Sequence, residues 1–158
     1  MTLSMPIPKR LVLIFLFVSF IGFVDAGYLA LKYYLGSPVN CAILAGCEIV
    51  TSSNFAVLYG VPIALIGAVY YLLVLVLTLL YLDTGNIAPL SAAALISAAG
   101  FLISLGLLYI QIFMLRAICL YCLISLASSA LLFINGLLLL KYGIVNYRRF
   151  SNFSNKIK

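Results

Sequence analysis

The chain has 158 residues, of which 66% are hydrophobic and only 8% charged, with a mean hydropathy of +1.30; a water-soluble globule, with roughly a quarter of its residues charged, is excluded. The complete absence of histidine excludes imidazole ligation of haem, zinc or copper, and with it Ser-His-Asp and Cys-His catalysis. The formal net charge of +6 comes from nine basic residues against three acidic ones, and the placement of the basic residues reads as membrane topology rather than nucleic-acid binding.

Four apolar stretches follow in chain order, at about residues 11–34, 56–82, 87–115 and 117–140. Each reaches the ~20 residues that a helix needs to cross the hydrocarbon core. The first continues through Tyr28, Leu29 and Leu31, past the ~7–15 residue core of a secretory leader, and is read as a span rather than a cleaved segment. No charged residue lies between Thr84 and Leu115 or between Ala117 and Leu140, so neither stretch has the polar face of a soluble helix. Breaks fall at the loop of about 35–55, at Asp83-Thr84-Gly85-Asn86 before Pro89, and around Arg116. The expected fold is an all-α integral membrane protein, a four-helix bundle occupying 1–158 as one membrane domain, with a basic tail at 141–158.

Seven of the nine basic residues lie at the two ends, Lys9 and Arg10 before the first span and Lys141, Arg148, Arg149, Lys156 and Lys158 after the last. The positive-inside rule then makes both termini cytoplasmic. It puts the 35–55 loop and the Arg116 turn on the extracytoplasmic face, together with all four cysteines.

Those cysteines form two pairs. Cys41 and Cys47 are spaced C-x5-C in the outer loop, and Cys119-Leu120-Tyr121-Cys122 is a C-x-x-C opening the fourth helix. Helical spacing puts the second pair on one side, with Cys122 ~4.5 Å deeper than Cys119 at 1.5 Å per residue. A helix N-terminus, with Arg116 three residues upstream, favours thiolate at Cys119. The upper cysteine is placed to meet the loop and the lower one a lipid-soluble electron carrier. Either pair alone reads more readily as structural than as redox, but two pairs on one oxidising face point to a redox relay. The spacing is unusual for a zinc or iron–sulfur site, and no metal is expected.

The order of the two pairs, Ser53 six residues after Cys47, the Gly60-Val61-Pro62 approach to the second helix and Asp25-Ala26-Gly27-Tyr28-Leu29 in the first resemble the vitamin K epoxide reductase (VKOR) family, in particular its prokaryotic branch. The resemblance implies a quinone-linked thiol oxidoreductase supporting disulfide formation in exported proteins. It would take electrons from a thioredoxin-like partner on the outer face and reduce a membrane quinone of menaquinone or ubiquinone type. In family terms Cys41 faces the partner, Cys47 shuttles through a disulfide with Cys119, Cys122 lies beside the quinone, and Ser53 orients groups near it. Gly67, Tyr70 and Tyr71 resemble pocket positions. The asparagine and tyrosine that hold the vitamin K head group in vertebrate members are matched here by Ile63 and Leu126, which weighs against epoxide reduction and leaves quinone reduction intact. Many prokaryotic members carry a fused thioredoxin-like domain; here the partner is expected to be a separate protein.

Two polar residues stay open. Gln111, a lone amide late in the third helix, either binds a quinone carbonyl or joins helices. Asp25 is the sole acid inside a span and is functional by default, unless it pairs with Lys32, seven residues on, or lies at the interface. The alternatives to a VKOR-like enzyme are a DsbB-type oxidase, in which the C-x-x-C belongs to the first outer loop, and a non-enzymatic membrane subunit with structural disulfides.

Overall fold

The structure, a computed structural model, describes residues 8–39 and 46–156, with backbone alone beyond Tyr142. Four long helices carry it: α1 (Lys9–Tyr34), α3 (Ile63–Thr84), α4 (Ile87–Tyr109) and α5 (Leu120–Lys156). A short α2 (Cys47–Ser52) and a two-stranded hairpin, β1 (Val57–Leu58) with β2 (Val61–Pro62), stand between α1 and α3. The segments Lys9–Tyr34, Ile63–Thr84, Ile87–Leu115 and Leu120–Tyr142 are each long and apolar enough to cross a bilayer. Packing joins α1 to α3 and α5, and α4 to α3 and α5, closing a four-helix ring. Its outward faces are Leu, Ile, Val and Phe, exemplified by Phe17, Leu102 and Leu131, as lipid contact requires.

Inside the ring, apolar burial gives little drive because lipid is as apolar as the core; close approach and polar bridges hold the helices instead. A methyl group at Gly22 would overlap the Tyr71 ring, and one at Gly100 would overlap the Tyr70 ring, so each glycine admits an aromatic from α3. Gly136 lets α5 rest on Ala94 and Ser97 of α4. Ser129 donates to Ser104 at 3.0 Å, and the Asn135 amide donates to the Leu11 carbonyl at 2.9 Å, tying α5 to α4 and to α1. A core of Phe15, Tyr71, Val74, Leu90 and Leu132 fills the middle.

Helix ends follow from local chemistry. Gly85, at φ +66°, closes α3 in the left-handed region, and its N–H reaches the Tyr81 carbonyl at 2.9 Å. The Asn86 side chain accepts the Ala88 N–H at 3.0 Å and caps α4. The reading from sequence placed this break correctly. It began the second span too early, at 56 rather than Ile63, because Tyr59 (φ +50°) and Gly60 (φ +83°) make a two-residue hairpin turn whose register pairs Val57 with Pro62. The outer segment therefore extends beyond the expected 35–55. The last helix starts at Leu120 rather than 117, and it runs to Lys156 through the basic tail: that tail holds no proline, and its single glycine, Gly143, breaks nothing.

Candidate active site

The α4–α5 crossing builds the site. The last turn of α4 widens into a π-helix at Ile110–Leu115, and the chain reverses through Arg116 in the left-handed conformation, φ +49°. Such widened turns recur at functional sites because they redirect side chains without ending the helix. Gln111 secures the reversal twice. Its backbone carbonyl accepts the Ala117 N–H at 3.2 Å and its side-chain oxygen accepts the Cys119 N–H at 3.2 Å. Of the two roles left open for this amide, joining elements is the one seen for its oxygen.

Cys119 then sits immediately before α5, and its carbonyl accepts the Leu123 N–H at 3.1 Å as the first bond of the helix. The hydrogen bond from the Cys122 thiol lowers the Cys119 pKa from its ordinary 9.0 to about 6; burial opposes this, and the Cys122 and Tyr121 amides add to the lowering. The lowering is in the direction expected from sequence, but its first cause is the Cys122 thiol, with the first-turn amides adding to it, rather than Arg116. Removing the thiol donor in Cys122→Ala should carry the Cys119 transition back toward the ordinary thiol range. Thiolate absorbance at 240 nm would then rise at higher pH than in the parent protein, and an unchanged midpoint near 6 would contradict the assignment.

Cys47 opens α2 and is held against the same place. Gly46, its neighbour, lies so close to the Ile118 backbone that an added Cβ would come within 2.6 Å of the Ile118 carbonyl oxygen. Cys47 and Cys119 are 1% and 0% exposed and share a buried cluster with Leu29, Val39, Val50 and Ala117. Cys47 is disulfide-bonded, whereas Cys119 and Cys122 are free thiols. Cys41 lies outside the described residues.

Behind Cys122 is a cavity of about 260 Å³ reached by all four long helices, near the lower end of small-molecule pockets. Its wall is mostly apolar. Its polar lining comprises Asp25 and Tyr33 from α1, Tyr70 and Tyr71 from α3, Ser104 and Gln111 from the α4 side, and Cys122 and Ser125 from α5, with Val50, Thr51, Ser53 and Phe55 as a roof. Gly67 lines it too, with room for a Cβ at 3.6 Å from that of Ala26. Ser53 spends its hydroxyl on the Val50 carbonyl at 2.7 Å. Tyr71 is anchored by bonds of 2.7 and 3.0 Å to the Ser125 carbonyl and hydroxyl, but the Tyr70 hydroxyl is buried with no partner. Asp25 does not pair with Lys32, whose ammonium sits 5.8 Å from the Tyr28 ring centroid. Ser125 and the Phe55 roof were not anticipated; Ser125 could have been, since it lies three residues after Cys122 on the same helical face. Ile63 reaches the wall and Leu126 does not.

The thiols, the cavity and the covering loop therefore form one unit at one end of the bundle. The family model for the vitamin K epoxide reductase family matches residues 13–136, from α1 well into α5. A search of curated proteins finds no match. The chain belongs to the vitamin K epoxide reductase family, and it is a multi-pass membrane oxidoreductase of the quinone-linked thiol class.

Proposed function

We propose that this protein oxidises the dithiol of a separate thioredoxin-like protein and passes the electrons through its two cysteine pairs to a menaquinone- or ubiquinone-type carrier, sustaining disulfide formation in exported proteins. The observation that carries the reading is positional: Cys122 opens on the cavity while Cys119, one turn nearer the loop, shares a buried cluster with Cys47. With seven basic residues at the chain ends, both termini are cytoplasmic and the cysteines extracytoplasmic.

The order of transfer is the one the family resemblance implies, and thiol chemistry supports it. The partner reduces the loop pair; the Cys47 thiolate attacks Cys119 of a Cys119–Cys122 disulfide and expels Cys122. Cys41 then attacks Cys47 and expels Cys119, whose low pKa makes it a good leaving group. The products are a loop disulfide and a Cys119/Cys122 dithiol, matching the free thiols and bonded Cys47 of this structure. The quinone occupies the cavity. Tyr70 offers its unpartnered hydroxyl to a quinone oxygen, Gly67 leaves room for the ring, Ser53 holds the roof through Val50, and Gln111 positions Cys119.

Donor dependence tests this. With dithiothreitol as donor, Cys122→Ala should lose quinone reduction and Cys41→Ala should keep it, whereas with a protein dithiol both should fail. An active Cys122→Ala, or a Cys41→Ala dead with the small donor, would overturn the assignment.

A further inference from the structure

Three buried side-chain polar atoms among the described residues lack a hydrogen-bond partner: Asp25 Oδ2, the Tyr70 hydroxyl and Asn135 Oδ1. Two of the three, Asp25 and Tyr70, line the one cavity that also holds Cys122. A buried polar group without a partner costs free energy, and an intramembrane carboxyl more than a hydroxyl; placing both on one wall makes sense when a polar ligand completes them. Asp25 is 9% exposed, and it is within electrostatic reach of Cys119, Cys122 and Tyr71. Lys32, the nearest cation along α1, is engaged by Tyr28 instead.

Quinone reduction needs two protons as well as two electrons, and the cavity wall is mostly apolar. Tyr71 is committed to Ser125, Gln111 presents an amide, and Ser53 is committed to Val50. Asp25 is the carboxyl on this wall. We propose that Asp25 is the proton-transfer residue of the quinone step, relaying the Cys122 proton to a quinone oxygen. This rests on the reading that the cavity holds a quinone.

The step balances as follows. Cys119 enters as thiolate and Cys122 as thiol. The Cys119–Cys122 bond forms and two electrons enter the quinone ring. The Asp25 carboxyl gives its proton to one quinone oxygen, and the resulting carboxylate takes the proton that Cys122 loses, so Asp25 ends as it began. The second quinone oxygen takes a proton from water at the loop end, equal to the one Cys119 released on ionising. The sum is dithiol plus quinone to disulfide plus quinol.

The test uses the full chain in detergent, with dithiothreitol as donor and a short-tailed ubiquinone as acceptor. Asp25→Asn keeps the shape and should lower kcat on the order of 100-fold, the usual contribution of a positioned acid–base group, with quinone KM within about threefold. Asp25→Glu should retain most of the rate. Asp25→Ala should be equally slow and should regain activity when formic acid, small enough for the vacated space, is added, while Cys122→Ala should gain nothing from it. Rescue distinguishes proton transfer from a packing role and remains readable if the asparagine variant folds poorly. The proposal fails if Asp25→Asn turns over like the parent, if the whole loss lies in KM, or if formic acid leaves Asp25→Ala unchanged. An inactive parent protein, or an active Cys122→Ala, would instead sink the quinone-cavity reading itself.

Discussion

Removing Cys41 and Cys122 together, as Cys41→Ser with Cys122→Ser, should drive nearly all of the protein into a single Cys47–Cys119 disulfide under oxidising conditions. Only those two cysteines remain in the chain, and both are buried in one cluster. The serines remove the thiols that would resolve the bond, Cys41 from the loop side and Cys122 from the helix side. Peptide mapping without reductant reads the outcome as loop and α5 peptides joined. The geometry adds a sharper expectation. A disulfide requires Cα atoms within ~7 Å, and that approach is possible because Gly46 lies directly on the Ile118 backbone. Adding Gly46→Ala should push α2 off this seat and slow trapping severalfold. If the peptides separate without reductant in the double variant, no transfer disulfide exists and the loop pair is a staple.

The second large effect is a contrast between two glycines. A methyl at Gly22 meets the Tyr71 ring and a methyl at Gly100 meets the Tyr70 ring, yet the two aromatics differ in freedom. Tyr71 is 1% exposed and held by Ser125, so Gly22→Ala should destabilise the bundle by ~1–3 kcal/mol, the usual cost of overpacking. It should show as a lower melting temperature in detergent. Tyr70 has no hydrogen bond to lose and lines the cavity. Gly100→Ala should therefore leave the melt nearly unchanged while the displaced ring enters the cavity and raises quinone KM tenfold or more. Equal melting losses for both variants would show that Tyr70 is fixed packing rather than a cavity wall.

The parts of this molecule governed by local rules were legible in its sequence. Uninterrupted apolar runs fix spans, and Gly85-Asn86 fixes the α3–α4 break because each residue satisfies one helix end within itself. The order of the cysteine pairs, with Ser53, carried the family. What could not be read depends on distant partners. The hairpin at 57–62 is a poor strand signal, as only two residues pair on each side. The π-helical turn arises from how the chain must reverse to meet α5, and no single residue in Ile110–Leu115 announces it. Gln111 looked like a helix joiner or a quinone ligand; the atom that decides is the Cys119 N–H, eight residues away around that turn. The substitution at Leu126 removes no cavity group, since Leu126 is not on the wall, while Tyr70 supplies a hydroxyl from another helix.

The two ends of the bundle are tethered very differently. At the end away from the cysteines, α3 passes to α4 through Gly85 and Asn86 alone, with both residues consumed in closing helix termini. Such a connection has no slack. Sliding α3 past α4 by one turn, 5.4 Å, would have to break a cap. At the other end, α1 reaches α3 through a segment of 28 residues, 35–62, that contains α2 and the hairpin. Mechanically the molecule is a clamp with one welded end and one jaw, so shape changes that accompany sulfur exchange fall on the jaw formed by α2 and the hairpin while the helix register stays fixed. Distance measurements between labels across α3 and α4 should then stay constant through turnover, and those from α2 to α5 should not.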